Sequence, residues 1–279
     1  MNRKKGRSKR RFFWFAAFCL LLLAGAGVLG YDYYNQEDIS ERRYARAEKM
    51  LAEMKYAAAA DHFRGIYEDY PDAPLTPRAL FMSGELRHLY LDLPEKALLD
   101  FLLIEKNYPH TPYGETAQRR IAALYMERLE DYGRAIVAYQ KLIDQEVAGS
   151  DRLQYRIGEA YFQLNNFEQA RIEWESLIKS APESSLIPEA LYRIGVTWSL
   201  QGDHREAEEA FRRVMDQHPR TSYAQEARFA LAAVYEEQER LAAALEILEN
   251  LQGHYDNPQA LEKRIEQVRE RIARKKKAI

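Results

Sequence analysis

Cysteine is almost absent from this chain of 279 residues, which contains only Cys19. No disulfide can therefore form within the chain, and a metal site built from several cysteines is impossible. The six histidines never lie four residues apart with an acid between them, and no glycine-rich loop precedes Lys-Ser or Lys-Thr. We therefore expect neither enzymatic activity nor a bound cofactor or metal.

Acidic residues are absent from the first 30 positions, although that segment contains seven lysines and arginines. The formal net charge of -2 hides this segregation, because all 43 acids lie in the remainder of the chain. An acidic body does not suit nucleic-acid binding, which needs a basic face to neutralise phosphates. We therefore expect no nucleic-acid partner.

Charge of either sign is missing between Phe12 and Leu29. As a helix this run would extend about 27 Å, close to the thickness of the bilayer hydrocarbon. The basic residues 1–11 predict a cytoplasmic start, which places the chain after residue 30 on the far side of the membrane. Two interpretations stay open. Residues 12–30 form an uncleaved transmembrane anchor, which we favour because the apolar run continues to Leu29, or a signal peptide cleaved near Ala26.

The sequence does contain a repeated pair of apolar positions, an alanine followed four residues later by a large apolar residue. The pair returns six times, at steps of 38, 38, 35, 37 and 37 residues. Such a period indicates supersecondary units that bury their apolar faces by stacking on one another. The pairs are Ala59/Phe63, Ala97/Phe101, Ala135/Tyr139, Ala170/Trp174, Ala207/Phe211 and Ala244/Leu248.

Each repeat predicts two antiparallel helices. In the fourth, Gly158 and Tyr161 lie on the first helix and Ala170 and Trp174 on the second. Small residues let the two helices approach closely, aromatic rings fill the flanking gaps, and a proline ends the second helix. Over residues 40–257 this pattern resembles the tetratricopeptide repeat, with a somewhat longer spacing than is usual.

Three junctions between repeats share one form, which is similar to junctions in exported bacterial repeat proteins. Those families are the outer-membrane barrel-assembly lipoprotein and the periplasmic coordinator of the Tol–Pal system. The resemblance implies an all-α, superhelical solenoid of about six helix-turn-helix repeats, in a protein that scaffolds envelope assembly. The three junctions are Tyr70–Ala79, Tyr108–Ala117 and His218–Ala227.

The early repeats depart from the pattern. Gly84 and Ala122 lie one residue further from their alanines than in later repeats, and Arg87 stands where an aromatic residue is expected. We therefore expect offset or poorly formed helix pairs there. The junction at residues 147–150 lacks a proline, which predicts a looser hinge between the first three repeats and the last three.

The predicted organisation of the chain follows from these segments. A final amphipathic helix places four apolar residues on one face, typical of a cap over the last repeat. These four residues are Leu261, Ile265, Val268 and Ile272. The domains are a basic cytoplasmic segment (1–11), an anchor or signal segment (12–30), a polar tether (31–39), the repeats (40–257) and the cap with its basic tail (258–279).

The resemblance implies that the first helices line a concave groove, which we expect to bind a protein or peptide partner. Aromatic residues beside arginines are typical interface anchors, and they would suit an acidic peptide or a C-terminal carboxylate. In the competing interpretation the rings pack between adjacent first helices and the arginines pair with acids such as Glu159 and Glu189. The candidate residues are Arg119, Arg120, Tyr155, Arg156, Tyr192, Arg193 and Phe229.

The sequence as a whole predicts a non-enzymatic scaffold or adaptor that binds protein partners in bacterial envelope biogenesis. Its anchor would lie in the inner membrane through residues 12–30, as a single pass, with the repeats in the periplasm. Two alternatives remain: a cleaved, soluble periplasmic coordinator of a cell-wall enzyme, and a translocon-associated chaperone for exported chains.

Overall fold

A computed structural model of the chain describes residues 36–277, together with Trp14 and Phe18. The described residues form helices and connecting turns, without a β-strand, so the all-α prediction is confirmed. Residues 1–11, the rest of the predicted anchor (12–30) and the start of the tether lie outside the described residues. Among the helices that are described, none is both long enough and apolar enough to cross a membrane.

Thirteen helices span the described region, and the first twelve follow one another as six consecutive pairs. The helices are α1 (Gln36–Ala52), α2 (Tyr56–Asp69), α3 (Thr76–Leu89), α4 (Pro94–Asn107), α5 (Pro112–Glu127), α6 (Tyr132–Asp144), α7 (Ser150–Gln163), α8 (Phe167–Ser180), α9 (Ile187–Gln201), α10 (His204–Gln217), α11 (Ser222–Glu237), α12 (Leu241–Asn250) and α13 (Pro258–Lys277).

The chain divides into two compact units, one ending at Leu124 and the other beginning at Tyr125. The division therefore falls within α5 and not at the hinge predicted over residues 147–150. Helices α6 and α7 flank those residues and pack against each other within the second unit. Gly149 replaces the missing proline as the turning residue, because its φ of 79° is one that glycine adopts without strain.

In three helix pairs a glycine of the first helix allows the close approach that the sequence predicts, and it does so by facing an aromatic ring of the second helix. A Cβ added to any of three glycines would lie closer to the opposing ring than atoms can pack. The rings they face are fully buried. The distance from the added Cβ to the nearest ring atom is 2.7 Å for Gly84 and Phe101, 2.4 Å for Gly158 and Trp174, and 2.6 Å for Gly195 and Phe211.

The second helix pair is well formed, so the prediction of an offset or poorly formed pair is wrong there. Its extra residue is taken up in the turn at residues 90–93, where Asp92 has a φ of 53°. Gly84 still faces Phe101. Arg87, which replaces the expected aromatic residue, is buried against Asp100 with an N–O distance of 2.7 Å.

The first helix begins at Gln36, inside the segment predicted as a tether (31–39). Its first turn contains Glu37 and Asp38, and acids are favourable at the positive end of a helix. Tyr44 then packs on Phe63 of α2, with ring centroids 5.0 Å apart. Residues 36–39 of the predicted tether are therefore the start of an amphipathic helix.

The last helix closes the second unit. Its apolar face buries Leu261, Ile265 and Val268, and Ile272 packs partly buried against the same core. The Asn257 side chain accepts a hydrogen bond from the Ala260 N–H at 3.0 Å, which satisfies one of the free donors at the helix start. The helix therefore shields the apolar surface that α11 and α12 would otherwise leave uncovered.

Candidate functional site

The seven predicted partner-binding residues all lie on first helices of their pairs, namely α5, α7, α9 and α11. We call this set the first-helix surface. It contains four arginines and three aromatic residues, which the structure places in different surroundings. Its members are Arg119, Arg120, Tyr155, Arg156, Tyr192, Arg193 and Phe229.

The aromatic members contact other rings. Tyr155 is 5% exposed and lies against Trp174, with centroids 6.3 Å apart. Tyr192 is half-buried and reaches Tyr223 of α11 at 5.9 Å, which joins two first helices. Phe229 stacks on Tyr255 at 4.8 Å. These rings therefore contribute to packing within the second unit, whatever else they bind.

The two arginines of the second unit share one carboxylate. Arg156 contacts Glu127 at 2.7 Å and Glu159 at 3.0 Å. Arg193 reaches the same Glu159 at 3.6 Å. Both arginine side chains remain about one third exposed, at 32% and 34%. The guanidinium groups are thus paired and still accessible from solvent.

The two arginines of the first unit each pair with a different acid. Arg120 donates two parallel hydrogen bonds of 2.7 and 2.9 Å to the Glu85 carboxylate, which is the bidentate geometry that suits a guanidinium and a carboxylate. Arg119 contacts Glu115 one turn away on the same helix, at 2.9 Å. Structure therefore groups Arg156 with Arg193 around Glu159 and leaves the first-unit pair with acids of its own.

Tyrosines and glutamates alternate with the arginines on this surface. Burial, together with a hydrogen bond to Glu189, raises the pKa of Tyr155 far above its ordinary value. Burial and the neighbouring Glu226 raise the pKa of Tyr255 to about 12. These hydroxyls therefore stay protonated as donors. The surface presents both signs of charge, and an acidic ligand must compete with glutamates for the arginines.

Sequence reasoning missed a cleft of about 800 Å³ between α8 and α9, which we call the α8–α9 cleft. Its apolar lining includes Ile172, Ile194 and Trp198. The signal was present two residues after each repeat alanine, where exposed aliphatic residues occur in the second, third and fourth repeats. The residues at this position are Asp61, Leu99, Val137, Ile172, Glu209 and Glu246.

Over residues 36–277, together with Trp14 and Phe18, no group of three or more His, Cys, Asp or Glu side chains is placed to hold a metal ion. The residues of the first-helix surface offer hydrogen bonding, ion pairing and apolar contact.

Two segments of the paired-helix region match a known family of helical repeats. Residues 122–185 and residues 200–264 each match a family model of the tetratricopeptide repeat, and these segments are therefore such repeats. No curated protein matches the chain. The family resemblance drawn from the residues is thus confirmed over these two segments.

Several solved structures share the fold. A tetratricopeptide repeat protein from Parabacteroides merdae has a TM-score of 0.55 and 18% identity, covering 82% of this chain and 86% of its own. The C-terminal part of a repeat protein from Cytophaga hutchinsonii has a TM-score of 0.56 and 18% identity, covering 75% and 77%. PilW, a widely conserved type IV pilus biogenesis factor, has a TM-score of 0.51 and 14% identity, covering 80% and 98%. At these identities the likeness shows the fold alone.

Proposed function

We propose that this protein is a non-enzymatic scaffold or adaptor that binds protein partners in bacterial envelope biogenesis. Residues 12–30 would anchor it in the inner membrane, with the repeats in the periplasm. Tetratricopeptide arrays bind protein or peptide partners in a groove, and the first-helix surface offers anchoring side chains of the kind that interfaces favour. The envelope role rests on the junction resemblance and on the anchor-like sequence. PilW takes part in pilus biogenesis, and at 14% identity that role is not carried to this chain.

The observation that carries the proposal is the sharing of Glu159 by Arg156 and Arg193. A guanidinium has five donors, so one carboxylate cannot satisfy two of them. The Nε of Arg193 is buried and has no hydrogen-bond acceptor among the described residues. Because about one third of each arginine side chain is exposed, a carboxylate from a partner can bind their guanidinium donors from the solvent side, in competition with Glu159. That chemistry favours a partner segment with an exposed acid or a free C-terminus.

The test is photo-crosslinking from the full-length protein in bacterial cells, with the probe at Arg193, whose side chain is 34% exposed. A matched probe at Gln267, on the exposed face of the cap, serves as the control. We expect one or two discrete products from position 193 and none from position 267, and we expect Arg156→Ala to weaken the crosslink. A broad smear would indicate the chaperone alternative, and equal products from both positions would overturn the first-helix surface as the binding site.

The anchor is tested separately, because the scaffold role does not depend on it. We expect the mature protein to keep the size of its precursor and to fractionate with membranes. A shortened, soluble product would replace the anchored scaffold with the cleaved periplasmic coordinator.

A further inference from the structure

Seven arginines in the described part of the chain lie over an aromatic ring, and six of them also form an ion pair with an acid. We call a ring, an arginine and an acid joined in this way an arginine triad. The planar guanidinium suits it, because its face contacts the ring while its edge donates to the carboxylate. The six triads are Arg43 with Tyr70 and Asp69, Arg64 with Tyr67 and Glu68, Arg78 with Tyr44 and Glu48, Arg134 with Tyr125 and Asp131, Arg193 with Phe162 and Glu159, and Arg240 with Tyr235 and Glu208.

One group on the first-helix surface has the rings and the acid of such a triad. Glu226 and Phe229 lie three residues apart on one face of α11. Tyr255, between α12 and α13, stacks on Phe229 at 4.8 Å, and its hydroxyl donates to Glu226 at 3.1 Å. Burial, and then the charge of Glu226, raise the pKa of Tyr192 on α9, so this ring also lies near the carboxylate. We call these four residues the Glu226 site.

The arginine of the triad is missing from this group. Among the described residues, no arginine or lysine forms an ion pair with Glu226 or lies over a ring of the site. Arg193, from α9, lies over Phe162 and reaches Glu159, both on α7. Arg228, two residues after Glu226, donates to a backbone carbonyl of its own helix at 3.4 Å. These two neighbouring arginines are therefore engaged elsewhere.

The Glu226 carboxylate can accept further hydrogen bonds. A carboxylate accepts about four, and the described residues supply one to Glu226, from Tyr255. Glu226 is partly buried, and a charge beside apolar rings attracts an opposite charge more strongly than a fully hydrated one does. An arginine supplies both the missing donors and a flat cation for the ring faces, whereas a lysine supplies a point charge. The site therefore favours an arginine that a ligand brings.

The Glu226 site lies beside the arginines that the proposed function assigns to an acid of the partner. Arg156 and Arg193 meet at Glu159 on α7, and Glu226 lies on α11, with α9 between them. Neighbouring helix axes are about 8–10 Å apart, so α7 and α11 are separated by roughly 16–20 Å. An extended peptide, which rises about 3.3 Å per residue, covers that distance in about five or six residues. One partner segment can therefore reach both places.

We propose that the Glu226 site binds an arginine side chain of the same partner segment whose acid is bound by Arg156 and Arg193. Its guanidinium donates to Glu226 and lies against a ring of the site, which completes a triad that the chain builds elsewhere with its own arginines. The inference rests on the proposed function, because it requires a partner along the first-helix surface. It adds a second side chain that this partner must have, so the favoured partner carries both signs of charge and not an acid alone.

The test selects phage-displayed random peptides, long enough to reach both places, on the full-length protein and sequences those that bind. We expect the enriched peptides to contain an arginine about five residues from an acid. Selection on Glu226→Gln should lower the enrichment of arginine about tenfold and keep the acid. Selection on the double variant Arg156→Ala, Arg193→Ala should lose the acid and keep the arginine. Glu209→Gln, at an exposed acid of α10, is the matched control and should keep both.

Synthetic peptides then measure the contact by fluorescence anisotropy. Replacing the arginine of an enriched peptide by its neutral analogue citrulline should weaken binding about tenfold, and this difference should vanish in Glu226→Gln. Glutamine keeps an acceptor for the Tyr255 hydroxyl, so this variant retains the fold, which circular dichroism checks.

The outcomes separate this site from the proposed function. Enrichment of acids without arginine, or an enrichment of arginine that Glu226→Gln leaves unchanged, would overturn the Glu226 site and leave the proposed function standing. Enrichment of arginine that depends on Glu226, without any acid, would support the site and contradict the acid assigned to Arg156 and Arg193. No enrichment of any peptide would overturn both.

Discussion

The second and fifth helix pairs fill the same two positions in opposite ways. Three residues after the close-packed glycine, the second pair has Arg87 and the fifth has Trp198. Three residues after the repeat alanine, they have Asp100 and Ala210. One pair therefore has a buried ion pair at positions where the other has a partly buried ring and a buried alanine. The same helix-helix approach tolerates both, because the glycine contact that sets the spacing is the same.

In the second pair, the buried carboxylate of Asp100 has three hydrogen-bond donors. Asp100 is fully buried and accepts hydrogen bonds from Ser83 at 2.8 Å, from Arg87 at 2.7 Å and from Arg64. Buried carboxylates persist only when their lone pairs are satisfied in this way. Arg87 also reaches Asp61, an exposed acid, at 3.2 Å. The two acids around Arg87 thus differ both in burial and in the number of their hydrogen-bond partners, which makes their removal informative.

The largest expected effect is the loss of Asp100. Asp100→Ala leaves Arg87 buried without its close counter-ion, and we expect the free energy of unfolding to fall by about 3–5 kcal/mol. Urea unfolding of the full-length protein, followed by circular dichroism, measures it. Asp61→Ala is the matched control and should cost about 1 kcal/mol or less, because that acid is 76% exposed. Similar losses for the two variants would mean that burial does not decide the strength of this ion pair.

The next prediction concerns the contact between glycine and a buried ring that the second and fifth pairs share. Gly84→Ala and Gly195→Ala each place a Cβ less than 3 Å from a buried ring, and we expect each to cost about 1–3 kcal/mol of unfolding free energy. Gly65→Ala is the control, because no atom lies within 4 Å of the added Cβ in the middle of α2. It should stabilise the protein by about 0.5–1 kcal/mol. A large loss in only one of the two core variants would show that the pairs do not share their spacing constraint.

A smaller effect concerns the cation over the Trp198 ring. Arg171→Ala removes a guanidinium 3.4 Å from the ring centroid, together with its hydrogen bond to Gln201, and should cost about 1–2 kcal/mol. The same substitution at Lys179, an exposed cation of the same helix with no ring contact, should change stability by about 0.5 kcal/mol or less. Denaturant unfolding again provides the comparison. An equal, small change in both would reduce the Arg171 contact to ordinary surface packing.

Much of the fold was predictable, because the same residue spacing recurs in six repeats. The spacing of alanines and aromatic residues places the helix pairs, and glycine on the first helix predicts the close approach seen at Phe101, Trp174 and Phe211. Periodicity also places the final helix and its apolar face. These features depend on local spacing, which a single sequence displays directly.

The features that were not predictable depend on contacts between side chains of different helices, which the spacing of residues along the chain does not reveal. Arg87 departs from the repeat pattern, and only its position beside Asp100 in the folded pair explains why it is buried there. The α8–α9 cleft requires Ile172 and Trp198 to face each other from different helices. At the candidate site, pairing of the arginines with Glu159 was one of two interpretations, and the structure places them together. Partner binding by those residues stays a prediction.

The sixth helix pair offers a third solution, in which the aromatic residue is itself a donor. Tyr235 occupies the position of Arg87 and Trp198, and its hydroxyl donates to Glu208 at 2.6 Å. Arg212 and Arg240 also donate to that carboxylate, each at 3.1 Å. Burial raises the pKa of Glu208, but these three hydrogen bonds outweigh it, and the pKa lies below its ordinary value of 4.5.

The smallest expected effect follows from the sign of that shift. The pKa of Glu208 is lower in the folded protein than in the unfolded chain, so its carboxylate stabilises the fold at pH values above the ordinary pKa of 4.5. This stabilisation is lost as the pH falls through the folded pKa. Glu208→Gln should therefore lower the free energy of unfolding by about 1 kcal/mol or less at neutral pH. The deficit should shrink in acid, when unfolding is measured at several pH values. Glu246→Gln, on the exposed face of α12, should show no such dependence. A deficit that stays constant with pH would mean that the Glu208 side chain acts through its shape and neutral hydrogen bonds. The sixth pair would then depend on packing of its tyrosine, as the fifth depends on its tryptophan, and not on an ion pair as in the second.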